Sequence, residues 1–209
     1  MDGFCIDSSV REGCRPAYKG VNALTREVLL EPLLRWFRFR KVISHVPHGV
    51  RLLDVGCGRT AAFLQAVSPR IDYGVGVDFK VKEMQLNNIQ TVQLKLAEEL
   101  PFADSSFDVV TLLAVLEHIE HEKPILKEIR RVLKPGGKLI LTVPSVWSQP
   151  ILEFLSYRLK IVDEAEIRDH KRYYNRDRLK QVLIEQTQFS NFSHHYFQLG
   201  MNNFCMVEK

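Results

Sequence analysis

The residues best placed to do chemistry in this 209-residue chain begin with LLDVGCGRTAA, residues 52–62. A short apolar run ends there in a glycine turn. Gly56, Gly58 and Ala61 have the G-x-G-x-x-A spacing of a nucleotide cradle, in which glycine permits φ > 0 and lets the backbone approach a ligand. Asp78 closes the next apolar run, DYGVGVD, twenty residues after Gly58. A carboxylate at that place can accept the hydrogens of both ribose hydroxyls. Asp54 lies inside the first apolar run, where a carboxylate is costly without a partner. His118, in LEHI, and His170, in RDHKRYYNRDRL, are candidate general bases, since imidazole titrates near neutrality. His170 is placed ahead of His118, with Tyr173 beside it to orient an acceptor.

These side chains need a scaffold, and the pattern of the chain supplies one. VRLLDV (50–55) reads as a buried strand and RTAAFLQAV as the helix after the turn,. Residues 72–78 read as a second strand, 81–86 as a short helix, 90–96 as a third strand and 107–115 as a fourth. PILKEIRRVLK is a helix with Pro124 in its first turn and Ile125, Ile129, Val132 and Leu133 on one face,. Pro135 to Gly137 then turn the chain into a fifth strand, KLILTVP. Beyond a helix at 176–185, FSHHYFQL and NFCMVE flank a Gly/Asn turn and read as an antiparallel hairpin,. The expected fold is therefore α/β: a Rossmann-like, doubly wound, seven-stranded sheet of five parallel strands followed by a C-terminal antiparallel hairpin.

Composition sets outer bounds. With 45% hydrophobic and 26% charged residues, the chain is ordinary globular material, long enough for a sizeable core. A net charge of +4, mixed with acids along most of the chain, does not call for nucleic acid as a partner. Four scattered cysteines read as reduced thiols in a cytoplasmic protein. No signal-type or membrane-spanning run is present, and no zinc-ligand spacing suggests a metal,. Residues 1–21 read as a flexible arm before a single domain at 22–209, with an acceptor-side insertion at about 145–177.

The glycine turn and Asp78 suit NAD and S-adenosylmethionine (SAM) alike. Three features favour SAM. Asp54 could pair with the ammonium of a methionine moiety or with loop amides. Ala61 replaces the third glycine, so no pyrophosphate need pack against the helix. The chain is also too short for a separate substrate domain. LLDVGCG, GVD, AEELPFADSSFDVVTLLAVLEHI, EIRRVLKPGGKLILTVPS and HKRYYNRDRLKQVL, in this order, resemble class I SAM-dependent methyltransferases. The resemblance is to the type 11 group, which includes ubiquinone/menaquinone-biosynthesis enzymes and many that modify natural products and glycans.

The resemblance implies a site residue by residue. Asp54, Gly56, Cys57 and Gly58 would hold the methionine part of SAM, Asp78 the ribose and Phe79 the adenine face. Ala97 and Glu98 would close over the adenine, although Leu96 stands where the family often has Asp. Leu113 and Ala114 would line the methionine side, and His118 would stand near the cleft. S-adenosylhomocysteine (SAH) would be the product. The acceptor is expected to be a small or lipid-linked molecule, glycans included, methylated at oxygen within a region containing Trp147, Phe154, Tyr157, His170, Tyr173 and Tyr174. From Arg35 to Lys41, RWFRFRK alternates bases with aromatics; it reads as a solvated helix face, with peripheral membrane contact as the second reading. Two other functions remain open: a SAM-binding module without catalysis, and an NAD-dependent oxidoreductase.

Overall fold

In the computed structural model the structure describes residues 31–95, 99–148 and 172–209. The first element is helix α1 (Glu31–Ile43), with Pro32 in its first turn, where a missing N–H costs nothing. Strand β1 (Arg51–Val55) leads through the glycine turn to α2 (Ala62–Val67). Then come β2 (Tyr73–Asp78), β3 (Met84–Leu86), β4 (Ile89–Gln93) and β5 (Phe107–Leu113). A 3-10 turn (Leu116–His118) precedes α3 (Glu122–Val132) and β6 (Leu133–Pro144). Helix α4 (Arg176–Lys180) runs on as a π-helix (Gln181–Gln186) before β7 (Ser190–Phe197) and β8 (Asn202–Glu208).

All eight strands form one sheet in the order β3-β4-β2-β1-β5-β6-β8-β7. β4, β2, β1, β5 and β6 are parallel neighbours, and β8 runs antiparallel to both β6 and β7. The five parallel strands and the closing hairpin are thus as expected, while the sheet has eight strands and not seven. The additional strand, β3, replaces the helix expected at 81–86. It pairs antiparallel with β4, Leu86 opposite Ile89, across a tight turn in which Asn87 takes φ 53°. Asparagine tolerates that conformation better than most residues. Thr91 fastens the pair: its hydroxyl donates to the Lys82 carbonyl and accepts from the Met84 N–H.

The turn expected at Pro135 to Gly137 also lies differently. Leu133 already pairs with Phe107, and the register then jumps to Lys138 opposite Val109. The intervening residues bulge from within β6, with Gly136 at φ 74°, and the Lys134 ammonium bonds the Asp108 carboxylate at 2.7 Å.

Alternation along the strands sends side chains to two cores. On one face Leu53, Val55, Val110 and Leu112 pack with Ile125, Leu126, Ile129 and Val132 of α3 and with Leu179, Val182 and Leu183. On the other, Leu52, Val109 and Ile140 pack with Phe63, Leu64 and Val67 of α2 and with Val42 of α1. Each buried branched aliphatic or Phe contributes about 1.5–3 kcal/mol, so both faces are held by helices and the carboxyl ends of the strands are left to carry function. Within the described residues no helix is long and apolar enough to cross a membrane.

Candidate functional site

Strand order reverses between β1 and β5, the place where an open α/β sheet offers a crevice. β1 enters it with the glycine turn. The N–H groups of Gly56 and Cys57 both donate to the Val77 carbonyl, at 2.8 and 3.1 Å, which folds the turn over the end of β2. Gly56 has φ 79°, and a Cβ on it would lie 2.3 Å from Val115. Glycine is therefore required there twice, by conformation and by packing. Gly58 has φ 70°, and a Cβ on it would meet nothing within 4 Å. The turn is packed from below at Gly56 and opens above Gly58.

Asp78, at the end of β2, holds this turn in place. One carboxylate oxygen accepts the Gly58 N–H at 3.0 Å and the other the Lys80 N–H at 2.7 Å. Each oxygen keeps lone-pair capacity for a further donor. Phe79 beside it is 56% exposed, with the Lys80 ammonium 4.9 Å from its ring centre: an apolar face offered to solvent next to a carboxylate.

Asp54 is 2% exposed and sits directly across from Thr111 in the β1–β5 register. The Thr111 hydroxyl donates to its carboxylate at 2.7 Å. Burial pushes Asp54 up to about 7; the Thr111 bond opposes this and the charge of Asp78 adds to it. The partner demanded by this buried acid is thus a strand hydroxyl, with no cation among the described contacts. Cys57 is buried, and desolvation, reinforced by Asp54 and Asp78, pushes its thiol far above the usual range. It packs under the turn against Gly76 and is not set up as a nucleophile.

From β5 come Leu113 and Ala114. Ala114 takes φ 56° and donates its N–H to the Thr142 carbonyl at 2.8 Å, a bend that brings Val115 onto Gly56. The 3-10 turn follows, and the His118 N–H bonds the Val115 carbonyl at 3.0 Å. Half-buried His118 therefore stands one turn beyond the residue that packs under the glycine loop. Asp54, Gly56, Cys57, Gly58, Asp78, Phe79, Leu113, Ala114 and His118 all come to the carboxyl edge of the sheet. Ala97, Glu98 and His170 lie outside the described residues, as do the arm at 1–21 and positions 149–171 of the insertion.

Both ends of that insertion are pinned at the same edge. Ser145 forms a bridge with Tyr174, the Val146 N–H bonds the Tyr174 carbonyl at 3.1 Å, and Asn203 donates to that carbonyl at 3.0 Å. Tyr173 is half-buried beside it. Tyr174, expected among the aromatics facing an acceptor, is fully buried instead. Its hydroxyl donates to Glu122 at 2.6 Å, and Arg178 holds the other oxygen of Glu122 at 2.6 Å. Burial, with Glu122 next to it, pushes this phenol far above its ordinary range. Arg172 adds two bonds to the Ile119 and Glu120 carbonyls. Tyr174 is thus a structural anchor that ties the end of the insertion to α3.

Sequence reading missed Thr111, Val115 and Glu122. Thr111 was detectable only as a hydroxyl in an apolar strand, and its meaning depends on the strand register.

The donor set fits the SAM implied by the sequence. A buried carboxylate whose ionised form lacks a cationic partner among the described contacts suits an ammonium, a bridging carboxylate at a strand end suits ribose hydroxyls, and the exposed ring of Phe79 suits a base. Residues 53–141 match a family model described as a methyltransferase domain. A demethylmenaquinone methyltransferase of Listeria welshimeri is 28% identical over 182 residues, covering 78% of this chain and 75% of that protein. The ubiquinone/menaquinone biosynthesis C-methyltransferase of Ectopseudomonas mendocina is 36% identical over 143 residues, 62% of this chain and 56% of that protein. An S-adenosylmethionine dependent methyltransferase from Mesorhizobium loti superposes with a TM-score of 0.60 at 16% identity, over 84% of this chain and 97% of that one. A SAM-dependent methyltransferase from Methanosarcina mazei gives 0.56 at 19%, over 81% and 96%. The last two likenesses are of fold.

Proposed function

We propose that this chain, a class I SAM-dependent methyltransferase of the type 11 group, methylates a ring carbon of a small, lipid-linked acceptor of the quinone class in its reduced form. The names of the relatives from Listeria welshimeri and Ectopseudomonas mendocina support this acceptor. The second, named a C-methyltransferase, favours carbon over the oxygen expected from the sequence alone. The observation that carries the cofactor half of the proposal is the Asp78 carboxylate, bonded to the Gly58 and Lys80 amides beneath open space.

SAM, when bound, supplies a methyl group on a sulfonium, which the nucleophilic carbon takes while the electron pair of the broken S–C bond stays on sulfur. The work of the protein is to position and to move a proton. Asp54 in its ionised form would face the ammonium, and Asp78 would accept the ribose hydroxyls. Phe79, with Ala97 and Glu98, would enclose the adenine, and Leu113 and Ala114 would line the methionine side. Holding two reactants at near-contact distance in line supplies most of the rate. A quinol carbon becomes strongly nucleophilic only when a ring hydroxyl gives its proton to a base; after transfer the hydrogen on the methylated carbon leaves as a proton and the ring oxygen takes one back, which restores the aromatic ring. In this reading His118, whose N–H bonds the Val115 carbonyl beside the glycine turn, serves as that base; His170, with Tyr173, is the alternative.

The test offers isotope-labelled SAM and a short-chain quinol under reducing conditions and locates the new methyl by NMR. A C-methyl product supports the proposal, and an O-methyl product moves the reaction to oxygen. Tight SAH binding without transfer to any quinol overturns the acceptor class, and without transfer to any offered acceptor it favours a binding module. Replacing the true base by Ala should lower turnover by about 10²–10⁴-fold with SAH affinity unchanged, so His118→Ala and His170→Ala are measured side by side. Full activity in both shows that no histidine serves as base.

A further inference from the structure

A second feature stands at the same edge of the sheet. The turn between β7 and β8 places Gln198, Leu199 and Gly200 in succession at positive φ, 52°, 57° and 86°. Two of these are not glycine, and left-handed backbone is costly for them. The result is a Leu199 side chain that is 101% exposed. The left-handed pair is the geometry of a type I′ hairpin turn, closed by the Gly200 N–H on the Phe197 carbonyl at 3.2 Å,, but among the described residues no packing accounts for a leucine presented wholly to water at its tip.

The turn is fastened on two sides. The Ser145 hydroxyl donates to the Gly200 carbonyl, which fixes it beside the carboxyl end of β6. Gln198 donates to the Leu34 carbonyl at 2.7 Å, which fixes α1 against it. Between α1 and the turn runs an apolar groove of about 680 Å³, lined by Leu34, Phe37, Phe197, Leu199 and Met201 with Arg40 and Lys41 at its rim. On the same helix Leu33 is 49%, Trp36 49% and Phe37 46% exposed. After its first residue α1 carries four cations and no acid, and the Arg40 guanidinium lies 5.4 Å from the Trp36 ring centre.

From this combination we propose that α1 and the β7–β8 turn form a docking surface for a bilayer containing anionic lipid. Leu199, Trp36 and Phe37 would enter the headgroup boundary, and Arg40 and Lys41 would meet lipid phosphates. The arguments for a membrane are the joint presence of interfacial aromatics and cations on one helix and the fully exposed leucine beside it. Because the turn is tied to Ser145, the docked face is the face that carries the glycine loop and Asp78. A lipid-linked acceptor could then reach the site without leaving the bilayer. That use rests on the acceptor proposed above; the surface itself does not.

Flotation of the full-length protein tests it, with vesicles of phosphatidylcholine alone and of phosphatidylcholine mixed with phosphatidylglycerol. The chain should float with the mixed vesicles at low salt and be released as salt rises. Leu199→Asp, which the positive φ accommodates, should weaken partitioning by about tenfold or more, and Lys41→Glu should remove the preference for phosphatidylglycerol. SAH affinity should be unchanged in both, which separates a failure of docking from a failure of the cofactor site. In a Trp147→Phe background the emission of Trp36 should be solvent-like without lipid and shift to the blue with mixed vesicles. Absence of flotation at low salt overturns the proposal, as does flotation equal in wild type and Leu199→Asp. Trp36 emission already blue without lipid assigns the groove to another part of the chain. A change in sedimentation of Leu199→Asp with flotation intact assigns the groove to a second copy.

Discussion

If the buried carboxylate of Asp54 faces the ligand ammonium as proposed, cofactor binding should depend on pH. In the free protein burial holds this group at about 7 against an ordinary 3.8. As pH rises through that interval the unfolded chain releases the proton first, so the folded state binds more protons and stability falls. With 1.36 kcal/mol per pH unit, the loss is about 4 kcal/mol once pH 7 is passed. A ligand ammonium reverses the preference, because only the ionised acid pairs with it. SAH, which retains the ammonium, should therefore bind about tenfold more weakly for each unit below pH 7, and level off above it until the ligand amine itself loses a proton near about 8. Binding at pH 6 should release close to one proton, measurable by calorimetry in buffers of different ionisation enthalpy. Asp54→Asn keeps the shape and the Thr111 contact. It should flatten both the stability curve of the free protein and the affinity profile between pH 5 and 7, at the affinity of the protonated acid. An SAH dissociation constant that is level from pH 5 to 7 in the wild type, and unchanged in Asp54→Asn, would refute the pairing.

Three further outcomes follow from the geometry. Gly58→Val should abolish SAH binding; a β-branched residue at φ 70° costs about 1–3 kcal/mol, or a few degrees in Tm, and retained binding would place the ligand elsewhere. Asp78→Ala should weaken SAH by about tenfold or more and also lower Tm, because the Gly58 and Lys80 amides lose their acceptor. Unchanged affinity would remove Asp78 from the site. Tyr174→Phe should cost about 1–3 kcal/mol in chemical denaturation by depriving buried Glu122 of a donor, with SAH affinity untouched; a parallel loss of affinity would return Tyr174 to the ligand.

What could be read in the sequence was what is local. The glycine turn, the acid closing β2, the apolar face of α3 and the closing hairpin are each written in consecutive residues. β3 was missed although its signal was present: in QLNNIQ a pair of asparagines can make the two-residue hairpin turn more often made by Asn-Gly. All three residues of β3 are exposed, so no apolar pattern marked it as a strand. The partners of the site residues were hidden for another reason. That Thr111 faces Asp54 depends on the β1–β5 register, and that Val115 fills the space beside Gly56 depends on the bend at Ala114. Tyr174 was misread because an aromatic in a polar stretch looks the same whether its hydroxyl meets a ligand or a buried glutamate.

The contrast between the two glycines of the turn gives a way to recognise loss of function in sequences. Gly56 is closed in by Val115 and held at positive φ, so trimming Val115 would make room without removing the strain. Drift at this position is blocked whether or not a ligand is present. Gly58 has positive φ but open space around it, and asparagine or aspartate could take its place at small cost once nothing had to fit above it. A descendant of this fold that had stopped using its cofactor would therefore keep the first glycine and be free to lose the second. The letter at position 58, rather than the presence of the fold, would record whether the cradle is still in use.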